Sequence, residues 1–159
     1  DILVSGQVLS LSLALSVISI CMFAVFRSFS LGLICFIPNL FPLLVNFGIM
    51  GAWNIPLNTA TSLISAVALG IVVDDTIHFI SKYRDQRKTK TIDGAVKNAI
   101  LEKGRPIMIT TCILSTAFCV LVLSSFVPTI QFGILTTIIM VTALIGDLVV
   151  LPAVFLLKK

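Results

Sequence analysis

Two aspartates and a histidine stand in a run of sequence otherwise almost free of charge. From Pro56 to Ser81 the chain reads Pro56-Leu-Asn-Thr-Ala-Thr-Ser-Leu-Ile-Ser-Ala-Val-Ala-Leu-Gly-Ile-Val-Val-Asp-Asp-Thr-Ile-His-Phe-Ile-Ser81. Every fourth residue gives Asn58, Ser62, Ala66, Gly70, Asp74 and His78, a helical face made only of small or polar side chains. The neighbouring series, Thr59, Leu63, Val67, Ile71, Asp75 and Phe79, is mainly apolar. At this spacing Asp74 and His78 can touch, and Gly70 one turn away leaves room for a second helix or for water. If the run crosses a membrane, an ionised carboxylate there costs about 2.5–3.5 kcal/mol on insertion scales. Asp74 lies eight residues before the first following lysine, Lys82, which is about 12 Å along a helix. Burial disfavours the charged form of a carboxyl group, so an acid at that depth gains and loses a proton as its surroundings change. That is the chemistry of a proton-coupling site. His78 can relay the proton or orient the carboxylate. Asp75, about 100° round the helix, is the second candidate.

Other polar groups could extend such a site. Thr110, Thr111, Ser115 and Thr116 cluster in a later apolar run, where their hydroxyls either support a water chain or bond to their own helix backbone. Asp147 is a third acid among apolar residues, either a second titrating group or a packing residue. No catalytic set or metal-ligand set emerges, and protons are the only coupling species the pattern implies.

These residues need a membrane to matter, and the composition supplies one. Of 159 residues, 58% are apolar and 11% are charged, with a mean hydropathy of +1.15. That is far from an ordinary soluble domain and excludes a soluble enzyme, a disordered tail or a nucleic-acid-binding module. Charge and turn residues cut the chain into five apolar stretches, Ile2–Phe26, Leu31–Trp53, Pro56–Ser81, Pro106–Phe126 and Pro128–Leu157. Each exceeds the roughly 20 residues needed to cross a bilayer as a helix. The fold class expected is therefore an all-α membrane protein of five transmembrane helices in one domain. The last stretch is long enough that it must tilt, kink or project.

The eleven basic residues fix an orientation. Arg27, the group from Lys82 to Arg105, and Lys158 with Lys159 all fall on one side of the five spans, which the positive-inside rule makes cytoplasmic, with Asp1 outside. The short outer connections near Trp53–Pro56 and Ser124–Pro128 carry no charge. Between spans three and four, residues 82–105 are expected to form a cytoplasmic loop. Ile92, Ala95, Val96, Ala99 and Ile100 recur there at helical spacing, which predicts a short amphipathic helix on the inner membrane face. Pro38 and Pro42 predict a kinked or broken second span packed against protein. Cys21, Cys35, Cys112 and Cys119 form no C-x-x-C pair and read as small buried hydrophobes. A chain that opens on Asp1 reads as a piece of a longer protein.

The run Gly70-Ile-Val-Val-Asp-Asp-Thr-Ile-His-Phe, with Arg84 after it, resembles the resistance–nodulation–division (RND) transporter superfamily. Within it the likeness is to the MMPL and hopanoid-exporter-like branch, related to sterol-sensing and Patched-type proteins. Phe26-Arg-Ser-Phe-Ser-Leu-Gly-Leu, Pro38-Asn-Leu-Phe-Pro42, Gly104-Arg-Pro before Thr110-Thr111, and Asp147-Leu-Val-Val-Leu-Pro152 carry it along the whole chain. The resemblance implies two similar halves of six helices, each with an external domain, of which this chain is the last five helices of the second half. Its implied partners are the missing first half and external domains, a lipidic or hydrophobic substrate, and membrane lipids. It also allows an oligomer. It places the proton-coupling role on Asp74 and Asp75, with His78 following. Drug-efflux members usually carry a lysine on this helix, and none occurs between Pro56 and Ser81. The implied function is a proton-motive-force-driven lipid exporter in the inner (plasma) membrane. The alternative is a non-transporting sterol-sensing or lipid-binding module of the same fold. An intramembrane aspartyl protease using Asp75 and Asp147 is disfavoured, because presenilin-like enzymes carry Gly-x-Gly before the second aspartate and this chain has Leu144-Ile-Gly-Asp147.

Overall fold

A computed structural model describes residues 2–26, 29–56 and 59–157. Five long helices follow one another: α1 Ile2–Phe26, α2 Phe29–Ala52, α3 Thr59–Arg87, α4 Ile92–Val120 and α5 Val127–Ile145. A single 3₁₀ turn, Leu121–Leu123, closes α4. Beyond α5 the chain makes one wide π turn, Gly146–Val150, and ends as α6, Leu151–Leu157. Among the described residues, Ile34–Ala52, Leu63–Arg87, Ile92–Leu123 and Val127–Leu157 are long and apolar enough to cross a bilayer. The corresponding apolar stretch of α1, Ser12–Ala24, is shorter.

Local chemistry explains the breaks. Asn54 ends α2 in the left-handed conformation (φ 52°), which Asn tolerates better than most side chains, and the Ile55 amide closes back on the Met50 carbonyl. Thr91 caps α4, its Oγ1 accepting from the Gly94 amide. Pro128 sits in the first turn of α5, where a missing N–H costs nothing. The π turn falls just before Pro152: Leu151 N–H reaches back five residues to the Gly146 carbonyl, and the widened turn takes up the strain that a proline ring imposes on the preceding turn. The expected distortion of the last span is thus a change of helical register.

The segment 82–105 departs from the expected loop. α3 runs on to Arg87 and α4 begins at Ile92, so only residues 88–91 connect them. The helix expected over Ile92–Ile100 forms, but it continues into the fourth span. Its apolar stripe lies in the protein core and not on the membrane face. Ala95, Val96 and Ala99 are buried with Phe79, Ile80 and Tyr83 of α3 and Leu151 and Phe155 of α6, and Tyr83 stacks on Phe155 with ring centroids 4.2 Å apart. Aromatic side chains from two other helices offer this stripe better-packed contacts than a lipid surface does. Pro106 removes the N–H that the Glu102 carbonyl would accept, but both residues are exposed, and the helix passes through them unbroken. At the tip, Lys82 pairs with Glu102, and Asn98 donates to Gln86.

α3 packs against α1, α2, α4 and α5. Its seam with α5 is a parallel ladder: Ile64, Ala68 and Val72 on α3 are buried in one cluster with Leu135, Ile139 and Ala143 on α5. The next rung pairs Thr76 with Asp147. α4 and α5 approach closely at Gly133, where an added Cβ would lie 2.7 Å from the Phe118 carbonyl oxygen, whereas one at Gly70 would meet nothing within 4 Å. Gly133→Ala is therefore expected to cost about 1–3 kcal/mol through overpacking, and Gly70→Ala to leave the stability of these five helices unchanged or slightly higher. Thermal unfolding of the two variants in detergent checks the contrast.

Of the cysteines, Cys35 is buried as expected, but Cys21, Cys112 and Cys119 lie on outward faces of their helices, and all four are free thiols.

Candidate functional site

α3 divides its polar residues between two environments. On one side, Ala66, Gly70, Asp74 and His78 form a stripe that none of the other described helices covers. Asp74 keeps 70% of its side-chain surface exposed and His78 59%, with Oδ1 and Nε2 3.6 Å apart. That spacing makes an ion pair only when the imidazole is protonated. The predicted neighbours thus come together one helical turn apart. Asn58 and the side chain of Ser62, the outer members of the same face, fall outside the described residues. Asp75 is partly buried. His78 opens onto a cleft at the end of the bundle lined also by Lys82, Arg84, Arg87, Lys88 and Lys103, which gathers most of the described basic charge at one end.

The other side of α3 holds a buried polar cluster. Asp147, in the π turn, is 1% exposed. Its Oδ1 accepts from Thr76 Oγ1 at 2.6 Å, and its Oδ2 is buried without a partner among the described residues. Thr76 Oγ1 is also 3.1 Å from Asn39 Oδ1 and 3.2 Å from the Val72 carbonyl. Asn39 donates through Nδ2 to the Cys35 carbonyl at 2.7 Å, which turns its Oδ1 toward Thr76. Three helices therefore contribute one oxygen-rich group each. The prolines of α2 help to close this junction. Pro42 has no N–H for the Pro38 carbonyl, and that freed oxygen lies 3.0 Å from where a Gly146 Cβ would be. A Cβ there would force the π turn and α2 apart by a few tenths of an ångström, so glycine suits this close approach.

The α4 hydroxyls do not join either group. Thr110 donates to the Pro106 and Ile107 carbonyls and Thr116 to the Cys112 carbonyl, all within their own helix, and both residues are exposed. Thr111 is buried. Ser115 Oγ is buried with no partner among the described residues, while its carbonyl accepts from Thr137. Asp147 is bonded to Thr76 and not to the Asp74–His78 pair.

Thr76 and the pairing of Asn39 with it escape a reading of the series that carry Asp74 and Asp75 on α3. The signal lay in a third series, Ile64, Ala68, Val72, Thr76 and Ile80, and its counterpart Leu135, Ile139, Ala143 and Asp147. Both are apolar stripes interrupted once by a polar residue on the same rung. No group of three or more His, Cys, Asp or Glu side chains that could hold a metal ion occurs among the described residues.

Comparison with known proteins agrees with this architecture. The MMPL family profile matches residues 4–158, nearly the whole chain. A protein of Methanocaldococcus jannaschii, whose name says only that it is a membrane protein, is 30% identical over 124 residues, 77% of this chain. The matched stretch is 32% of that relative, so the chain spans about a third of the length of the curated protein it resembles.

Proposed function

The chain belongs to the MMPL family, and from that premise we propose that it is the membrane portion of a proton-driven exporter of lipidic or other hydrophobic molecules. The observation that carries this reading is the uncovered stripe of α3. A carboxyl group at this depth is disfavoured against hydrocarbon, yet Asp74 faces away from every other described helix, with Gly70 leaving space beside it. The remainder of the polypeptide covers that face in this reading. Asp74 takes a proton arriving from the outer side, its change of charge alters the packing across the stripe, and the proton leaves past His78 toward the basic cleft. Asp75 assists from the partly buried flank. The basic end is cytoplasmic by the positive-inside rule, and the membrane is the cell's inner or plasma membrane.

The test uses the full-length protein in proteoliposomes holding a fluorescent lipid and a pH-sensitive dye. Movement of the lipid that requires an imposed proton gradient and stops on adding a protonophore supports the reading. Lipid binding that ignores the gradient identifies instead a sterol-sensing-like module that binds lipid without transporting it.

A further inference from the structure

We propose that Asp147 is a second proton-carrying site, separate from the exposed Asp74–His78 stripe and operated through the hydroxyl of Thr76. It goes beyond the transport reading and holds whatever the substrate is.

The number of protons at the junction sets which groups can donate. Thr76 has one hydroxyl proton and three oxygens within reach: Asp147 Oδ1 at 2.6 Å, Asn39 Oδ1 at 3.1 Å and the Val72 carbonyl at 3.2 Å. It can satisfy one of them well. With Asp147 ionised, the proton points to the carboxylate, at the short separation typical of a charge-assisted O–H···O⁻ bond. Oδ2 then has no donor among the described residues. With a proton added, Asp147 becomes the donor to Thr76 Oγ1, and the Thr76 proton turns to Asn39 Oδ1 or to the Val72 carbonyl. Asn39 is ready to receive it because its own N–H is committed to the Cys35 carbonyl. One proton gained or lost at Asp147 thus reverses the direction of donation at a junction of three helices.

The surroundings favour exchange. The titratable groups facing Asp147 from the packed elements are Asp75 on α3 and the Cys35 thiol on α2. α5 and α6 present no charged side chain among the described residues, and described α1 presents none either. On α4, Lys103 and Arg105 flank Gly104 near Leu148, with Lys103 lining the cytoplasmic cleft and Arg105 exposed. Among the described residues no cation faces the carboxyl to hold it ionised permanently, and Asp75 is next to Thr76 in the chain. Asp147 lies in the π turn, a helical irregularity that recurs at functional sites.

The experiment is a pH titration of the full-length protein by infrared difference spectroscopy, wild type against Asp147→Asn. The expected result is a protonated-carboxyl band, absent from Asp147→Asn, that disappears as pH rises. Thr76→Val, which removes the donor to the ionised form, moves the midpoint upward by about one pH unit, a tenfold change in proton dissociation. Thr76→Ser leaves it in place. A band that persists at every pH, or none at any pH, makes Asp147 a fixed packing residue and overturns the proposal. Should Asp147→Asn fail to fold, the Thr76→Val and Thr76→Ser midpoints decide: equal midpoints overturn it. The spectra require neither substrate nor gradient, so their outcome is independent of the transport assay.

Discussion

Asp74→Asn in the full-length protein is expected to insert and fold as the wild type does, while gradient-driven lipid movement falls to the level of protein-free vesicles. Asn reproduces the shape and polarity of the carboxyl group but cannot carry a proton. Folding should be unaffected because Asp74 keeps 70% of its side-chain surface exposed and its ion-pair partner among the described residues is His78, one turn away. Asp74→Glu retains the titrating group on a longer stem and should keep part of the activity. His78→Gln should slow transport without abolishing it, since the imidazole touches the carboxyl but is not its only outlet. The measurement is the initial rate of lipid movement at a fixed pH gradient, beside thermal unfolding of each variant. Transport by Asp74→Asn at the wild-type rate would remove the carboxyl from the coupling step.

The second large effect is structural. Phe79→Ala is expected to destabilise the bundle by about 3–5 kcal/mol, the loss typical of truncating a buried aromatic side chain. Phe79 is fully buried in the cluster that joins α3 to α4 and α6, among Tyr83, Val96 and Phe155. Phe126→Ala, at a position 64% exposed in the chain, is the control and should change stability little. Denaturation in mixed micelles gives both values on one scale. A loss for Phe79→Ala no larger than the control would mean that the helical hairpin contributes nothing to holding the bundle together.

Hydropathy and charge placement made the five helices legible, because lipid forces every backbone polar group into local hydrogen bonds and leaves few alternatives. The ends of α1 and α2 and the start of α5 lie close to where charge and proline placed them. Residues 82–105 misled for a physical reason. A helix rich in Lys and Arg beside a short apolar stripe has the same sequence pattern whether its stripe meets lipid or protein. Only the presence of Tyr83 and Phe155 opposite the stripe decides, and that is a tertiary fact. The Asp74–His78 neighbourhood was legible because it lies within one helix, where spacing alone sets distance. The Asn39–Thr76–Asp147 junction was not, since it depends on the register between three helices and on a π turn that shifts Asp147 relative to an ideal α-helix. Asp147 as a group needing explanation was visible; its partner was not.

Only 11% of the apolar window of α4 is buried by the rest of the described chain. Cys112 and Cys119 both lie on its outward surface, two turns apart and so nearly in line. An environment-sensitive fluorophore attached to either thiol would report the polarity outside this helix at two depths, and quenchers placed at known positions along the lipid tails would show whether that surface meets lipid and how far it rises or sinks as the protein works.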